Sequence, residues 1–148
     1  SRPRLDATTR ARLPFRYPPR MRTFEDVVAG RVPRHVLYED EAHLAILAPS
    51  PVRPGHAILM TKRAHPYLFE LSEEEHAALW RVARKLARHL KQSLGCERVC
   101  VGVIGWKVRH VHVHLVPTDA DGQFPPLPGV PADSNELEEL RARLALAR

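Results

Sequence analysis

The sequence predicts an α+β domain in which an antiparallel five-stranded sheet carries one long helix. One observation is a set of short apolar segments that have the length of strands. A second is a long segment, 72–94, whose apolar residues recur at helical spacing. A third is that most neighbouring strands have short connections, whereas parallel pairing needs a long crossover. We predict the strands at 35–39, 44–47, 56–62, 98–104 and 108–116.

The long helix has recognisable ends. Ser72 and Glu75 have the spacing of a capping box at its start, and Gly95 can adopt the left-handed conformation that ends a helix. Its apolar residues form one stripe, which we expect to pack on the sheet. These residues are Leu79, Val82, Ala83, Leu86 and Leu90.

Two shorter helices flank this core. The first is predicted over 24–29, with Thr23 as its cap and Gly30 at its end. The last begins at about Asn135, where Asp133 can accept hydrogen bonds from the first turn. Its apolar face contains Leu137, Leu140 and Leu144.

Composition limits the classes of function. The 148 residues suit one domain, and the hydrophobic fraction of 44% with 27% charged residues is typical of a globular protein. No apolar run approaches the roughly 20 residues of a membrane span, and the first residues lack the apolar stretch of a secretory signal. We therefore expect a cytoplasmic protein with no membrane partner, in which Cys96 and Cys100 are reduced thiols.

The positive charge is concentrated at the N-terminus. Residues 1–22 contain seven arginines and one aspartate, which accounts for the whole formal net charge of +6. The rest of the chain is neutral, which argues against a nucleic-acid partner, since such a protein needs a basic surface on its fold. We divide the chain into a basic Pro/Arg-rich arm (1–22), a domain (23–117) and a Pro-rich linker with a C-terminal helix (118–148).

A row of histidines marks the last predicted strand. Because alternate residues of a strand share a face, His110, His112 and His114 lie on one side of it. The residues between them are apolar and suit the core. A single buried histidine is commonly a core residue, but packing alone gives no reason for three in strict alternation. We expect the other histidines to be surface residues: His35, His43, His65, His76 and His89.

Two chemistries compete for this row. Imidazole is a common metal ligand, but strand geometry separates the outer Cα atoms by about 13 Å, which is awkward for three bonds to one ion. No carboxylate-containing metal motif accompanies the row, so we expect no metal and no other cofactor. The alternative is phosphate chemistry, in which imidazoles donate hydrogen bonds to phosphate oxygens and one of them attacks phosphorus.

The sequence here resembles a known family. The segment from His110 to Val116 resembles the histidine-triad (HIT) signature, His-φ-His-φ-His-φ-φ with φ apolar. The resemblance extends, in the right order, over Phe24–Pro33, Val36–Asp40 and Pro54–Lys62. It implies a HIT-like five-stranded sheet and a homodimer in which two sheets join.

The resemblance also implies roles for four histidines. His112 would be the nucleophile that attacks the α-phosphorus of a nucleotide, and His114 would fix His112 and the phosphate. His110 would contact the phosphate and the leaving group, and His56 matches the family's separate upstream histidine. The substrate would be a nucleotide, with a purine favoured, and the reaction would pass through a nucleotidyl-histidine.

Further residues match nucleotide-binding positions of the family. Phe24, Val27 and Ile46 match the base pocket, although they could equally be plain core residues. Gly105 and Lys107, in the approach to the triad, are candidates for binding the nucleotide.

Several residues depart from the family pattern. Ala48 stands where the family has the aspartate that holds the ribose, and a methyl group accepts no hydrogen bond. Trp106 and Lys107 replace the usual glutamine and serine. We predict a nucleotide hydrolase or nucleotidyl transferase of phosphoramidase or dinucleoside-polyphosphate hydrolase type. The alternative is a nucleotide-binding regulatory protein with weak or no catalysis.

Overall fold

The computed structural model describes residues 24–124 and 129–147, so the basic arm and Thr23 lie outside the described residues. Three helices and five strands follow one another along the described chain. They are α1 (Glu25–Val28), β1 (Val36–Glu39), β2 (His43–Leu47), β3 (Ala57–Thr61), α2 (Glu73–Leu94), β4 (Arg98–Gly102), β5 (His112–Thr118) and α3 (Ser134–Leu144), with a 3₁₀ turn at Leu68–Glu70.

The five strands form one antiparallel sheet in the order β1-β2-β3-β5-β4, which confirms the predicted fold class. The pairing of β3 with β5 sets the position of the histidines. Ile58 of β3 lies opposite His114, and Met60 lies opposite His112. On the other side of β5, Gly102 of β4 lies opposite His114. β5 therefore runs between two neighbours, and β4 forms an edge of the sheet.

The long helix forms as its end residues predict. The Ser72 hydroxyl accepts a hydrogen bond from the Glu75 N–H at 3.1 Å, and Gly95 takes the left-handed conformation at φ 66°. All five residues of the predicted apolar stripe are buried in one cluster with Val113 and Leu115 of β5. This face of the sheet is the main core.

The opposite face of the sheet carries a smaller apolar cluster. Its buried residues come from the second and third strands and the residue after β2: Leu44, Ile46, Ala48, Ile58 and Met60. Helix α1 packs on it through Phe24, Val27 and Val28. Since Ile58 and Met60 pair with His114 and His112, this cluster lies on the face that carries the histidines.

The C-terminal segment joins the body of the domain. Asp133 accepts hydrogen bonds from Asn135 and Glu136 and so begins α3 as predicted. Leu137 and Leu144 of α3 are buried in the main core, and the Leu146 N–H donates to the Leu37 carbonyl of β1 at 2.8 Å. Cys96 and Cys100 are free thiols.

The last strand begins later than predicted, at His112 and not at residue 108. The neighbouring strand β3 ends at Thr61, so residues 108–111 have no regular partner there. The Thr61 carbonyl accepts a hydrogen bond from the His110 ring at 2.6 Å. His110 therefore precedes the strand, and simple alternation does not place its side chain.

Two smaller expectations were also wrong. The first helix begins at Glu25 with Phe24 in the cap position and no side-chain capping bond. His43 is buried, 5% exposed, because its ring Nδ1 lies 2.9 Å from a carboxylate oxygen of Asp40. A polar partner three residues before the first residue of β2 thus accompanies the burial of a histidine that sequence alone places at the surface.

Candidate functional site

Four histidines lie together on the face of the sheet that α1 covers. His112 and His114 are neighbours on β5, with ring centroids 5.0 Å apart. His56 immediately precedes β3, and its ring centroid lies 5.2 Å from that of His114. His110 lies beneath α1, with the Phe24 ring 5.6 Å away. The structure therefore brings together all four histidines that the sequence singled out.

A backbone carbonyl determines which nitrogen of His112 carries the hydrogen. Nδ1 of His112 lies 2.6 Å from the carbonyl oxygen of His110. Because a carbonyl only accepts, Nδ1 must be the protonated nitrogen, and Nε2 keeps its lone pair in the neutral ring. Within the described chain no hydrogen-bonding group reaches Nε2. This nitrogen has the electronic form that a nucleophile requires.

A second backbone group determines the hydrogens of His56 and His114. The Val52 N–H donates to Nδ1 of His56 at 3.2 Å, so the hydrogen of neutral His56 is on Nε2. Nε2 of His56 lies 2.9 Å from Nδ1 of His114 and donates to it. The hydrogen of His114 is therefore on Nε2. His114 therefore presents a hydrogen-bond donor beside His112.

His110 uses both ring nitrogens for backbone contacts. The Phe24 N–H donates to Nδ1 at 2.9 Å, so Nε2 carries the hydrogen and donates to the Thr61 carbonyl at 2.6 Å. The ring links α1 to the end of β3, and its own carbonyl holds His112. Neither nitrogen of His110 is free for a phosphate in this structure.

Burial keeps the four imidazoles uncharged at neutral pH. It lowers the pKa of His56 from 6.5 to about 4, because water no longer solvates the charged ring. It lowers the pKa of His114 to about 3, with further repulsion from His112 and His56. Burial also lowers the pKa of His110 and of His112. The lone pairs and hydrogens assigned above are thus those of the neutral rings.

The predicted base-pocket residues also come together. Ile46 is buried in the smaller cluster, and Phe24 and Val27 pack on it from α1. The Phe24 ring meets His112 edge to face, with centroids 4.8 Å apart. Ala48, at the position that resembles the family's ribose-binding site, is buried in the same cluster. An apolar surface thus adjoins His112 on this side.

An open cavity of about 630 Å³ is lined in part by His112. His110 and His112 line it, together with Gly105 and Trp106 of the approach to the triad. Lys107 is exposed and is not among the lining residues. No expectation from the sequence covered residues 66–70, which also line the cavity. The available indication was a pair of aromatic residues, Tyr67 and Phe69, outside any helical or strand pattern.

Within residues 24–124 and 129–147, no group of three or more His, Cys, Asp or Glu side chains is arranged to hold a metal ion. In the same residues, no helix is both long and apolar enough to cross a membrane.

Comparison with known proteins identifies relatives of the domain. A model of the HIT domain matches residues 29–121. An uncharacterized HIT-like protein of Methanocaldococcus jannaschii is 30% identical over 106 residues, which cover 68% of this chain and 81% of that protein. The bis(5'-adenosyl)-triphosphatase of Dictyostelium discoideum is 26% identical over 87 residues, or 55% of this chain. The chain spans 58% of the length of that relative.

A solved structure supports the fold. The crystal structure of a HIT-like protein from Bartonella henselae superposes with a TM-score of 0.73 at 20% sequence identity. The match covers 82% of this chain and 92% of that one.

Proposed function

The chain belongs to the HIT domain family, and from this premise we propose that it is a nucleotide hydrolase or nucleotidyl transferase acting at an α-phosphate. The observation that carries the proposal is the hydrogen bond from Nδ1 of His112 to the His110 carbonyl. This bond leaves the lone pair of the neutral ring on Nε2, and His112 is one of the residues that line an open cavity. The Dictyostelium relative, named as a dinucleoside triphosphatase, supports the same class of reaction.

The proposed reaction has two steps at phosphorus. The Nε2 lone pair of His112 forms a bond to the α-phosphorus, and the bond to the leaving group breaks. Its electron pair moves to the leaving oxygen, or to a leaving nitrogen that takes up a proton from solvent. Water oxygen then bonds to phosphorus, the phosphorus–Nε2 bond breaks, and its electron pair returns to His112. The proton lost by water passes to solvent.

The surrounding histidines stabilise the His112 ring while it carries the nucleotidyl group. The His110 carbonyl accepts from Nδ1 while His112 carries the added positive charge. His114 donates a hydrogen bond from Nε2 to a phosphate oxygen, and His56 holds His114 in the donating form. His110 is a positioning residue, because its ring nitrogens bind Phe24 and Thr61.

Two surfaces are proposed for the rest of the assembly. The apolar surface of Phe24, Val27 and Ile46 takes the base, for which we propose a purine.

We also propose that two copies form a homodimer through β4, because this edge strand offers unpaired backbone groups and an exposed Val101. Sedimentation equilibrium measures the oligomeric state.

The function is tested by trapping the intermediate. The wild-type protein is mixed with a nucleoside phosphoramidate or a dinucleoside polyphosphate, quenched in base and analysed by mass spectrometry. We expect a nucleotidyl adduct on His112. The variant His112→Ala should form no adduct and lose about 10³-fold or more in kcat while keeping its circular dichroism spectrum. Full activity in that variant would contradict the mechanism.

A second candidate is a nucleotide-binding regulatory protein with weak or no catalysis. Ala48 favours it, because a buried methyl group cannot hold ribose hydroxyls. Trapping and turnover measurements with the same substrates discriminate the enzyme from the regulatory protein. Tight nucleotide binding without turnover or adduct indicates the regulatory protein.

A further inference from the structure

The cavity beside His112 collects an unusual share of the exposed apolar side chains. Of the eight large apolar residues exposed in the described chain, four line this cavity. These four are Tyr67, Phe69, Ile104 and Trp106. Large exposed side chains that cluster around one opening mark a binding surface more often than scattered ones do.

The aromatic residues lie on two walls of the cavity. Tyr67 and Phe69 form one wall, with their rings edge to face at 5.5 Å between centroids. Trp106 belongs to the other wall and is 78% exposed. The Arg109 guanidinium lies 6.0 Å from the Trp106 ring centroid, within cation–π distance. The cavity thus combines open aromatic faces with a positive charge.

His112 borders two separate apolar surfaces. The Phe24 ring contacts it from the smaller cluster beside α1. The aromatic cavity is lined by other residues and shares none with that cluster. A substrate whose reactive phosphorus lies between two planar groups would occupy both surfaces at once.

We propose that the Trp106 cavity is a subsite for an aromatic ring carried on the leaving group, such as the second nucleoside of a dinucleoside polyphosphate. The inference rests on the proposed function, because that function defines the leaving group. Trp106 stacks on the ring, and Arg109 attracts the phosphates that connect it to the reactive phosphorus. The volume of about 630 Å³ is within the range of small-molecule sites.

The kinetic test uses two substrates that differ only in the second nucleoside. These are a dinucleoside tetraphosphate and the corresponding nucleoside tetraphosphate. We expect Trp106→Ala to lower kcat/KM about tenfold for the first substrate, since stacking on one aromatic residue is lost. The same variant should leave kcat/KM for the nucleoside tetraphosphate within about twofold of the wild-type value. Trp106→Phe should retain most of the preference for the dinucleoside tetraphosphate over the nucleoside tetraphosphate.

A matched control separates this effect from general loss of exposed apolar surface. Val130 is 77% exposed and lies outside the cavity. We expect Val130→Ala to leave both substrates unchanged. Equal effects of Trp106→Ala on the two substrates would overturn the subsite. A change in the sedimentation of Trp106→Ala, with no change in the ratio of kcat/KM for the two substrates, would also overturn the subsite. A second copy of the chain would then cover the residues around Trp106.

A binding test keeps the subsite testable without turnover. The chain has two tryptophans, so Trp80→Phe leaves Trp106 as the only one. In this background, His112→Asn prevents a reaction during titration. We expect the dinucleoside tetraphosphate to quench Trp106 fluorescence and the nucleoside tetraphosphate to leave it unchanged.

The two proposals fail in different ways. Selective quenching without turnover or adduct supports a binding site for the second nucleoside at Trp106 while contradicting the enzyme, and so overturns its role as a leaving-group subsite. Turnover and adduct formation with no difference in quenching supports the enzyme and overturns the subsite. Equal or absent quenching by the two ligands overturns the subsite whatever the activity.

Discussion

Mild acid should destabilise the fold through its buried histidines. An unfolded histidine has a pKa of about 6.5, whereas burial lowers the pKa of His56 to about 4 and that of His114 to about 3. Between these values the unfolded chain binds protons that the folded chain does not. Stability is therefore complete above the unfolded pKa and is lost as the pH falls toward the folded pKa.

The size of the effect follows from the pKa difference. For one histidine with a folded pKa near 4, moving from about pH 7 to about pH 5 lowers the free energy of unfolding by about 2 kcal/mol. The combined loss for His56 and His114 is about 2 to 4 kcal/mol, since the adjacent rings do not titrate independently. His110 and His112 act in the same direction. This is a large part of the stability of an ordinary domain, about 5 to 15 kcal/mol.

Urea unfolding at about pH 7 and about pH 5 measures this loss, and His56→Gln identifies its source. The variant should lose less stability on acidification than the wild type. Ile58→Val is the matched control, because Ile58 lies opposite His114 and does not titrate. It should cost about 1 kcal/mol at both pH values. The carboxyl of Glu138, whose pKa is lowered to about 2, contributes only below this window.

The proposed link between histidine protonation and unfolding would be refuted if the wild type were equally stable at the two pH values, or more stable at the lower one. If His56→Gln lost as much stability between the two pH values as the wild type does, His56 would not contribute to the loss. Circular dichroism before unfolding checks that both proteins start folded.

Two stability changes follow from the long helix and are measured by the same urea transitions at neutral pH. Leu86→Ala should lower the free energy of unfolding by about 2 to 5 kcal/mol, because Leu86 is fully buried in the main core. An unchanged midpoint would contradict that packing. Gly95→Ala should cost about 1 kcal/mol, since Gly95 has φ 66° and the added Cβ, which meets no atom within 4 Å, would bring only this backbone cost. A stabilised variant would show that a left-handed end is not required there.

Local sequence patterns predicted the helices better than the strand ends. The α2 boundaries follow from Ser72, Glu75 and Gly95, all of which act within a few residues of themselves. The start of β5 depends instead on where β3 ends, at Thr61. No pattern inside 108–116 contains that information. The strand was therefore predicted four residues too long at its beginning.

The residues of the candidate site could be predicted, but not the state of their rings. The alternating histidines and the upstream His56 are visible in the sequence. The hydrogens on these rings depend on main-chain groups from other segments, such as the N–H of Phe24 and the N–H of Val52. Every residue except proline has such an N–H, so its presence in the sequence carries no information about the site.

The spacing of His110 and His112 has a physical reason that strand alternation does not supply. The His110 carbonyl accepts from the ring two residues later, so the tautomer of His112 depends on where the His110 backbone lies. The His110 ring holds that backbone by bonding to Phe24 and to Thr61, 86 and 49 residues away in sequence. His110 is thus required at its position as a ring and as a carbonyl. Packing of α1 on the sheet thereby determines which nitrogen of His112 keeps its lone pair.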